Sequence, residues 1–230
     1  RLSTALSYAD AAERSRRRMV SAIAHELKTP LAVIHSYAEG LKEHIAEDKR
    51  EQYIDVILSE AERTDAMVLE LLDLSRLEAG RVKLSRDQFS LAALGRAAFE
   101  KLSPLAQAKG LRIDLSLPDD LIVTADESRM AQVIENLASN AIRYTPEGGH
   151  IQARLRPQGS GAAFSIENDS PPLSEDALLH VWDAFYQADS SRSGGGTGLG
   201  LAIVKGIVEL HGGRCFARNT ASGVEFGFTI

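Results

Sequence analysis

The sequence predicts an α+β protein built from an N-terminal antiparallel helical hairpin and a following α/β sandwich. Three observations carry this expectation. Residues 6–80 have helical periodicity and no strand signal, residues 88–230 alternate helical and strand-like segments, and the charged stretch 80–87, opened by Gly80, separates the two grammars. The boundaries that follow are a helical hairpin over 1–79, a hinge over 80–87 and a second domain over 88–230. The 230 residues, 44% hydrophobic and 25% charged, are enough for two packed cores.

Taken in order, the first helical stretch places Val20, Ile23, Leu27, Ile34, Ala38, Leu41 and Ile45 at spacings of three, four or seven. A break near Ala46–Arg50 precedes a second stretch in which Ile54, Ile57, Ala61, Val68, Leu71 and Leu72 share one side. Two amphipathic helices leave an apolar seam open, and pairing of two hairpins into a four-helix bundle closes it, so a homodimer is expected. Beyond Gln88 the pattern predicts a helix near Leu91–Lys109, strands near Leu111–Leu117 and Leu121–Thr124, and a helix over Ser128–Arg143. Strands near Ile151–Arg156 and Ala163–Glu167, a helix over Leu199–His211, and strands at Arg214–Asn219 and Gly223–Ile230 complete one sheet with helices on one face.

The formal net charge of -6 and pI near 5.6 offer no basic field, which excludes nucleic acid as the expected partner despite the short run Arg16–Arg18. The single cysteine, Cys215, lies in a strand-like run and reads as packing. No internal disulfide is possible, which suits a reducing compartment. No stretch approaches the roughly 18 consecutive apolar residues of a membrane span. The chain begins at Arg1 rather than methionine, so a trimmed piece of a longer protein is expected.

Within "SAIAHELKTPLAVIHSYAEG" (21–40), Ile23 and Leu27 lie about 160° around a helix from position 25, so His25 faces water. An imidazole there is nucleophilic near neutral pH, with its unperturbed pKa about 6.5. Glu26 can hold the proton-bearing nitrogen, and Pro30, which cannot donate to the Glu26 carbonyl, loosens the helix one turn on. In "QVIENLASNAIRYTP" (132–146), Asn136, Asn140 and Arg143 fall within about 60° on one helical face, while Met130, Val133, Ile134, Leu137 and Ala141 form another that buries. Carboxamide oxygens suit a hard cation held by phosphates, and the arginine suits phosphate oxygens. "GGGTGLGLAIVKGIVELHGG" (194–213) is a glycine-rich loop running into an apolar helix, an arrangement whose backbone N–H groups approach an anion closely.

These strings, over roughly residues 15–230, resemble the sensor histidine kinases of two-component systems. "HELKTPL" is similar to their phosphoacceptor box, "QVIENLASNAIRYTP" to the N box, "WDAFY" (182–186) to the F box and "GTGLGL" to the G2 box. The resemblance implies an ATP-binding domain of the histidine kinase, Hsp90 and gyrase type, with Mg²⁺ on Asn140 and ATP contacted by Asn136, Arg143, Tyr144 and the loop residues Gly196, Gly198, Leu199, Gly200 and Leu201. It implies His25 as the phosphorylated residue with Glu26 beside it, and Thr29 at the position that orients water for dephosphorylating a partner. That partner is the receiver domain of a response regulator, whose aspartate takes the phosphoryl group. By the same resemblance the chain is the cytoplasmic portion of an inner- or plasma-membrane sensor, tied to the membrane only through an N-terminal sensor segment it lacks.

"SIENDSPPLSED" departs from the family's G1 box. Asn168 takes the place of the adenine-binding aspartate, and Ser170 and Pro172 replace two glycines. Sensors similar to the vancomycin-resistance type also carry asparagine there. An asparagine oxygen accepts the same hydrogen bond without charge assistance, so adenine recognition is expected to persist but weaken. Gln187 stands where an arginine is common, leaving Arg192 as the expected lid cation for the γ-phosphate. Two other readings stay open from sequence: a nucleotide-gated dimerisation scaffold that binds ATP without transferring phosphate, and an ATP hydrolase with Glu135 as base.

Overall fold

The computed structural model describes residues 2–45, 47–159, 161–188 and 196–230, with side chains from Val20 onward. The chain divides into two compact units, Arg1–Leu72 and Asp73–Ile230. The first holds α1 (Leu2–Lys42) and most of α2 (Arg50–Glu78), joined by a turn that includes a short 3-10 segment, Glu47–Lys49. Helix α1 ends where His44 takes a left-handed backbone, φ 56°: the Ile45 N–H reaches the Gly40 carbonyl at 3.0 Å and the His44 N–H that of Leu41 at 3.3 Å. The two helices approach closely at Gly40. A Cβ there would stand 2.8 Å from the Tyr53 ring, which meets Tyr37 edge-on with centroids 4.8 Å apart.

Helix α1 continues unbroken through the buried Pro30. The expected apolar seam is only half covered within one hairpin. Ile23, Leu27, Ile34, Leu41, Ile54, Ile57 and Leu71 are half-buried, whereas Val20, Ala38, Ile45, Ala61, Val68 and Leu72 remain exposed, as do Leu31, Leu58 and Leu69. No helix among the described residues is long and apolar enough to cross a membrane.

The second unit starts in the tail of α2, whose last residue, Glu78, is followed by a turn through Gly80. With φ at 61°, Gly80 lets the Arg81 N–H reach back to the Arg76 carbonyl (3.1 Å) while its own N–H meets that of Leu77 (3.0 Å). Residues 81–86 carry no regular structure; the division into compact units falls earlier, after Leu72. Then follow β1 (Asp87–Ser90), α3 (Leu91–Ala108), β2 (Arg112–Ser116), β3 (Ile122–Ala125), α4 (Glu127–Tyr144), β4 (His150–Gln158), β5 (Gly161–Asp169), α5 (Glu175–His180), α6 (Gly200–Leu210), β6 (Arg214–Asn219) and β7 (Gly223–Thr229).

Five strands form a sheet in the order β2-β4-β5-β7-β6, parallel only between β2 and β4. The single sheet expected from sequence is corrected at its edge. The strand foreseen at 121–124 is β3, which leaves that sheet and pairs with β1 through Phe89↔Val123. β1 and α5 were not foreseen, being four and six residues long, too short to show a period.

Alternation places Ile151, Ala153 and Leu155 of β4 on the helix-covered side, against a core that includes Met130, Ile134, Leu137, Ile166, Ile203 and Ile207. Phe164 and Phe228, neighbours in register, sit 5.7 Å apart at its centre. Along the opposite face runs a polar row across four strands, Gln152–Glu167–Glu225–Arg218, three of its members charged. The two glutamates stand directly opposite each other, an unfavourable pairing that arginines offset. Arg154 Nη1 lies 2.8 Å from Glu167 and 3.6 Å from Glu225, and Arg218 Nε donates to Glu225 at 2.6 Å.

Candidate functional site

In the first unit, the His25 side chain is 82% exposed, as the helical angle predicted. Glu26 Oε1 lies 3.9 Å from His25 Nδ1, on that side of the ring but beyond hydrogen-bond reach. The Thr29 hydroxyl is exposed and sits 3.4 Å from the His25 carbonyl, at the long end of hydrogen bonding. An open imidazole with a carboxylate beside one nitrogen can attack an electrophile that arrives from outside the helix.

In the second unit, α4 supplies the polar ridge. Asp126 caps it, accepting from the Arg129 N–H at 3.1 Å and the Ser128 hydroxyl at 2.7 Å. Met130, Val133, Ile134, Leu137 and Ala141 bury against the sheet, which turns Asn136, Asn140 and Arg143 outward together. At the far end, Lys109 Nζ donates to the carbonyls of Ile142, Arg143 and Thr145 at 2.8–2.9 Å, closing the helix terminus that holds Arg143 and the exposed Tyr144. Sequence reading missed this lysine, because nothing local marks a side chain that caps a helix 33 residues downstream.

The glycine loop meets this ridge. Asn136 Nδ2 donates to the Gly200 carbonyl at 3.2 Å, and the Arg143 guanidinium lies over Gly196 so closely that a Cβ there would run into it. Gly198 has φ 69°, and a Cβ on it would stand 2.8 Å from the Phe185 Cα, while its carbonyl accepts from the Phe185 N–H at 2.9 Å. Phe185 is itself left-handed, φ 63°, so the F-box and G2-box backbones fit only with glycine at 198. Gln187 Nε2 donates to the Gly196 carbonyl at 2.7 Å, a second contact the sequence did not reveal. Leu199 is fully buried and anchors the start of α6, and Leu201 follows half-buried in its first turn. The Asn140 side chain makes no hydrogen bond to a described residue and lies half-buried on the same face of α4 as Asn136 and Arg143. Arg192 lies outside the described residues.

Asn168, in β5, is only 2% exposed and shares the helix-facing side with Ile166. Its Nδ2 donates to the Asp169 carbonyl at 3.2 Å, which turns Oδ1 away as an acceptor. The glycine-poor segment after it is fixed by Asn219, whose Oδ1 accepts from the Leu173 N–H and whose Nδ2 donates to the Leu173 carbonyl, both at 2.8 Å. No group of three or more His, Cys, Asp or Glu side chains among the described residues could hold a metal alone. A cation here would need the neutral oxygen of Asn140 together with ligand phosphates.

Comparison with known proteins agrees with this arrangement. The family of His Kinase A (phospho-acceptor) domains matches residues 15–80, and that of histidine kinase-, DNA gyrase B- and HSP90-like ATPases matches residues 125–230. The sensor protein SphS of Synechococcus elongatus is 37% identical over 213 residues, covering 89% of this chain, which spans 51% of SphS. The catalytic domain of histidine kinase ThkA superposes with a TM-score of 0.58 at 30% identity, covering 64% of this chain and 95% of that domain. ThkA solved in complex with the response regulator protein TrrA gives a TM-score of 0.74 at 27% identity, over 97% of this chain and 65% of the other. An exposed histidine on a hairpin helix, followed by asparagine, arginine and glycine groups gathered on one ATPase-like fold, thus places the chain in the sensor histidine kinase family of two-component systems.

Proposed function

We propose that this chain transfers the γ-phosphoryl group of ATP to His25 and passes it on to an aspartate of a response-regulator receiver domain. The observation that carries this reading is the convergence of Asn136, Arg143 and the 196–200 loop in one unit, joined to a chain whose other unit holds an open, carboxylate-flanked imidazole. In the first step the His25 Nε2 lone pair forms the bond to the γ-phosphorus, and the bond to the β–γ bridging oxygen breaks, leaving ADP with the electron pair. Glu26 retains the proton side of the ring at Nδ1. In the second step the phosphorus–nitrogen bond breaks as the receiver carboxylate attacks. Phosphoryl transfer needs mostly positioning and charge neutralisation, which Arg143 and the loop N–H groups supply.

Asn140 fits a magnesium ion because its carboxamide is half-buried, unengaged by any described residue and on the helical face of Asn136 and Arg143; the ion would contribute further neutralisation of phosphate charge. Asn168 would accept from the adenine amino group through Oδ1, and Tyr144 would line the base. The exposed Val20, Leu31, Leu58, Val68, Leu69 and Leu72 support pairing of two hairpins into a four-helix bundle. Thr29 is assigned to orienting water in removal of phosphate from the regulator. Because the chain spans about half of SphS, the input that controls it would lie in the rest of such a sensor protein.

The test is incubation with γ-labelled ATP and Mg²⁺. The expected label is stable to alkali, lost in acid, and absent from His25→Ala. Binding of nucleotide without any label on the intact chain would replace this reading with that of a nucleotide-gated scaffold, while steady ATP turnover insensitive to His25→Ala would replace it with a hydrolase.

A further inference from the structure

The segment between the helical hairpin and the ATPase-like fold is fastened at both ends to one place, the first turns of α4. On its upstream side, Asp73 in α2 takes two contacts of 2.8 Å from Arg129 Nη1 and a third, also 2.8 Å, from Gln132 Nε2. Both Asp73 and Arg129 are largely shielded, and Arg129 also donates to Gln132 Oε1 at 2.9 Å, so the three side chains form one closed set. Next to it Leu74 and Leu77 are buried, Leu77 lying 3.5 Å from where a Cβ on Gly206 of α6 would be.

On the downstream side, the Ser85 N–H donates to Asp126 Oδ2 at 3.0 Å. Asp126 is in turn held by Ser128 and Arg129, and its own N–H donates to His211 Nε2 at 3.1 Å, with His211 Nδ1 on the Ile207 carbonyl at 2.8 Å. The stretch 81–84 is therefore a loop with both ends on the same body, and not a free connection. This agrees with the compact units dividing after Leu72, inside α2.

We propose that the ATP-holding unit pivots within α2 at Leu72–Asp73, and that Asp73 and Arg129 are positioning residues that keep the pivot there. Helix α4 also carries Asn136, Asn140 and Arg143, so the pair ties the end of the stalk helix to the helix that positions the nucleotide. Breaking it loosens the upstream hold on residues 73–84, which become a full tether only if Leu74 and Leu77 also leave the core. Effective concentration falls roughly as the -3/2 power of tether length, so complete release, replacing a pivot of about three residues by a tether of about a dozen, sets an upper limit of roughly eightfold on the loss in delivery to His25.

This rests on the function proposed above, and its test separates the two. In the full chain, Asp73→Arg and Arg129→Asp are each measured for nucleotide dissociation constant, rate of His25 labelling, and hydrogen exchange at residues 74–78, and then combined. The expected result is labelling slowed by up to roughly eightfold in each single variant with nucleotide affinity unchanged, faster exchange at 74–78, and recovery of both in the double variant. Asp73→Asn, which keeps the shape of the side chain and removes only its charge, is the milder companion should a charge reversal fail to fold. It is expected to slow labelling in the same direction with unchanged affinity. Unchanged labelling in the single variants, an equal loss of nucleotide affinity, or no recovery in the double variant would overturn the proposal. Absence of label in the unaltered chain would instead overturn the proposed function.

Discussion

At Asn168 the chain departs from the aspartate its family usually carries, and the local geometry explains why a neutral amide suits the position. Nδ2 donates to the Asp169 carbonyl from a site that is almost wholly buried. A carboxylate there would face that carbonyl oxygen with no proton between them. Asn168→Asp is accordingly expected to destabilise the nucleotide-free protein by about 1–3 kcal/mol, read as a fall in Tm of several degrees; an unchanged or raised Tm would show that the amide is not needed. Cys215 is the opposite case, a residue whose chemistry is suppressed. Burial, helped by Glu209 and opposed by Lys205, leaves its thiol pushed up to about 12. Fewer than roughly one in ten thousand such thiols is ionised near neutral pH. Iodoacetamide should label Cys215 at least about tenfold more slowly in the folded protein than after denaturation, because only the thiolate reacts.

Among the elements, those with a strong period were legible from sequence and those held by distant partners were not. The α4 stripe from Met130 to Ala141 announced both its buried face and, by subtraction, the ridge of Asn136, Asn140 and Arg143. The left-handed Gly80 and Gly212 that end α2 and α6 were legible as glycines after helical runs. By contrast, Lys109, Gln187 and Asn219 act on backbone groups that only folding brings near, so no spacing betrays them. Phe185 is a further instance, since an aromatic at positive φ is not a sequence signal. Its close approach to Gly198 yields a prediction for the loop as a whole. Gly198→Ala would need a left-handed alanine and a Cβ 2.8 Å from the Phe185 backbone, strain of the order of 1–3 kcal/mol that the loop relieves by moving. Nucleotide affinity should fall by about tenfold or more by calorimetry, while the fold measured by circular dichroism is retained. Full affinity in Gly198→Ala would mean that the loop tolerates an altered path.

For the molecule as a whole, the two-part plan was written in the change of period near residue 88, but the fastening of α2 was not, because Asp73 and Arg129 are 56 residues apart. The same long-range groups shape the response to acid. Burial alone would raise the Asp126 carboxyl, yet donors from Ser128, Ser85 and Arg129, with His211 nearby, hold it below its ordinary 3.8. For Glu167 on the outer sheet face, burial again acts upward and is outweighed by Ser222, Arg154 and Thr220, leaving it below 4.5. Both groups bind protons more weakly folded than unfolded, so their contribution is complete above the unfolded values and is lost as pH falls through the folded ones. Conformational stability from urea unfolding should therefore hold level from pH 7 to about 5 and decline below about 4.5. Asp126→Asn removes one of the two groups, so it should start lower at pH 7 and lose less between pH 5 and 3 than the unaltered chain. Identical slopes in the two proteins would mean that the cap carboxylate is not what acid attacks, and that the loss arises on the charged face around Glu167.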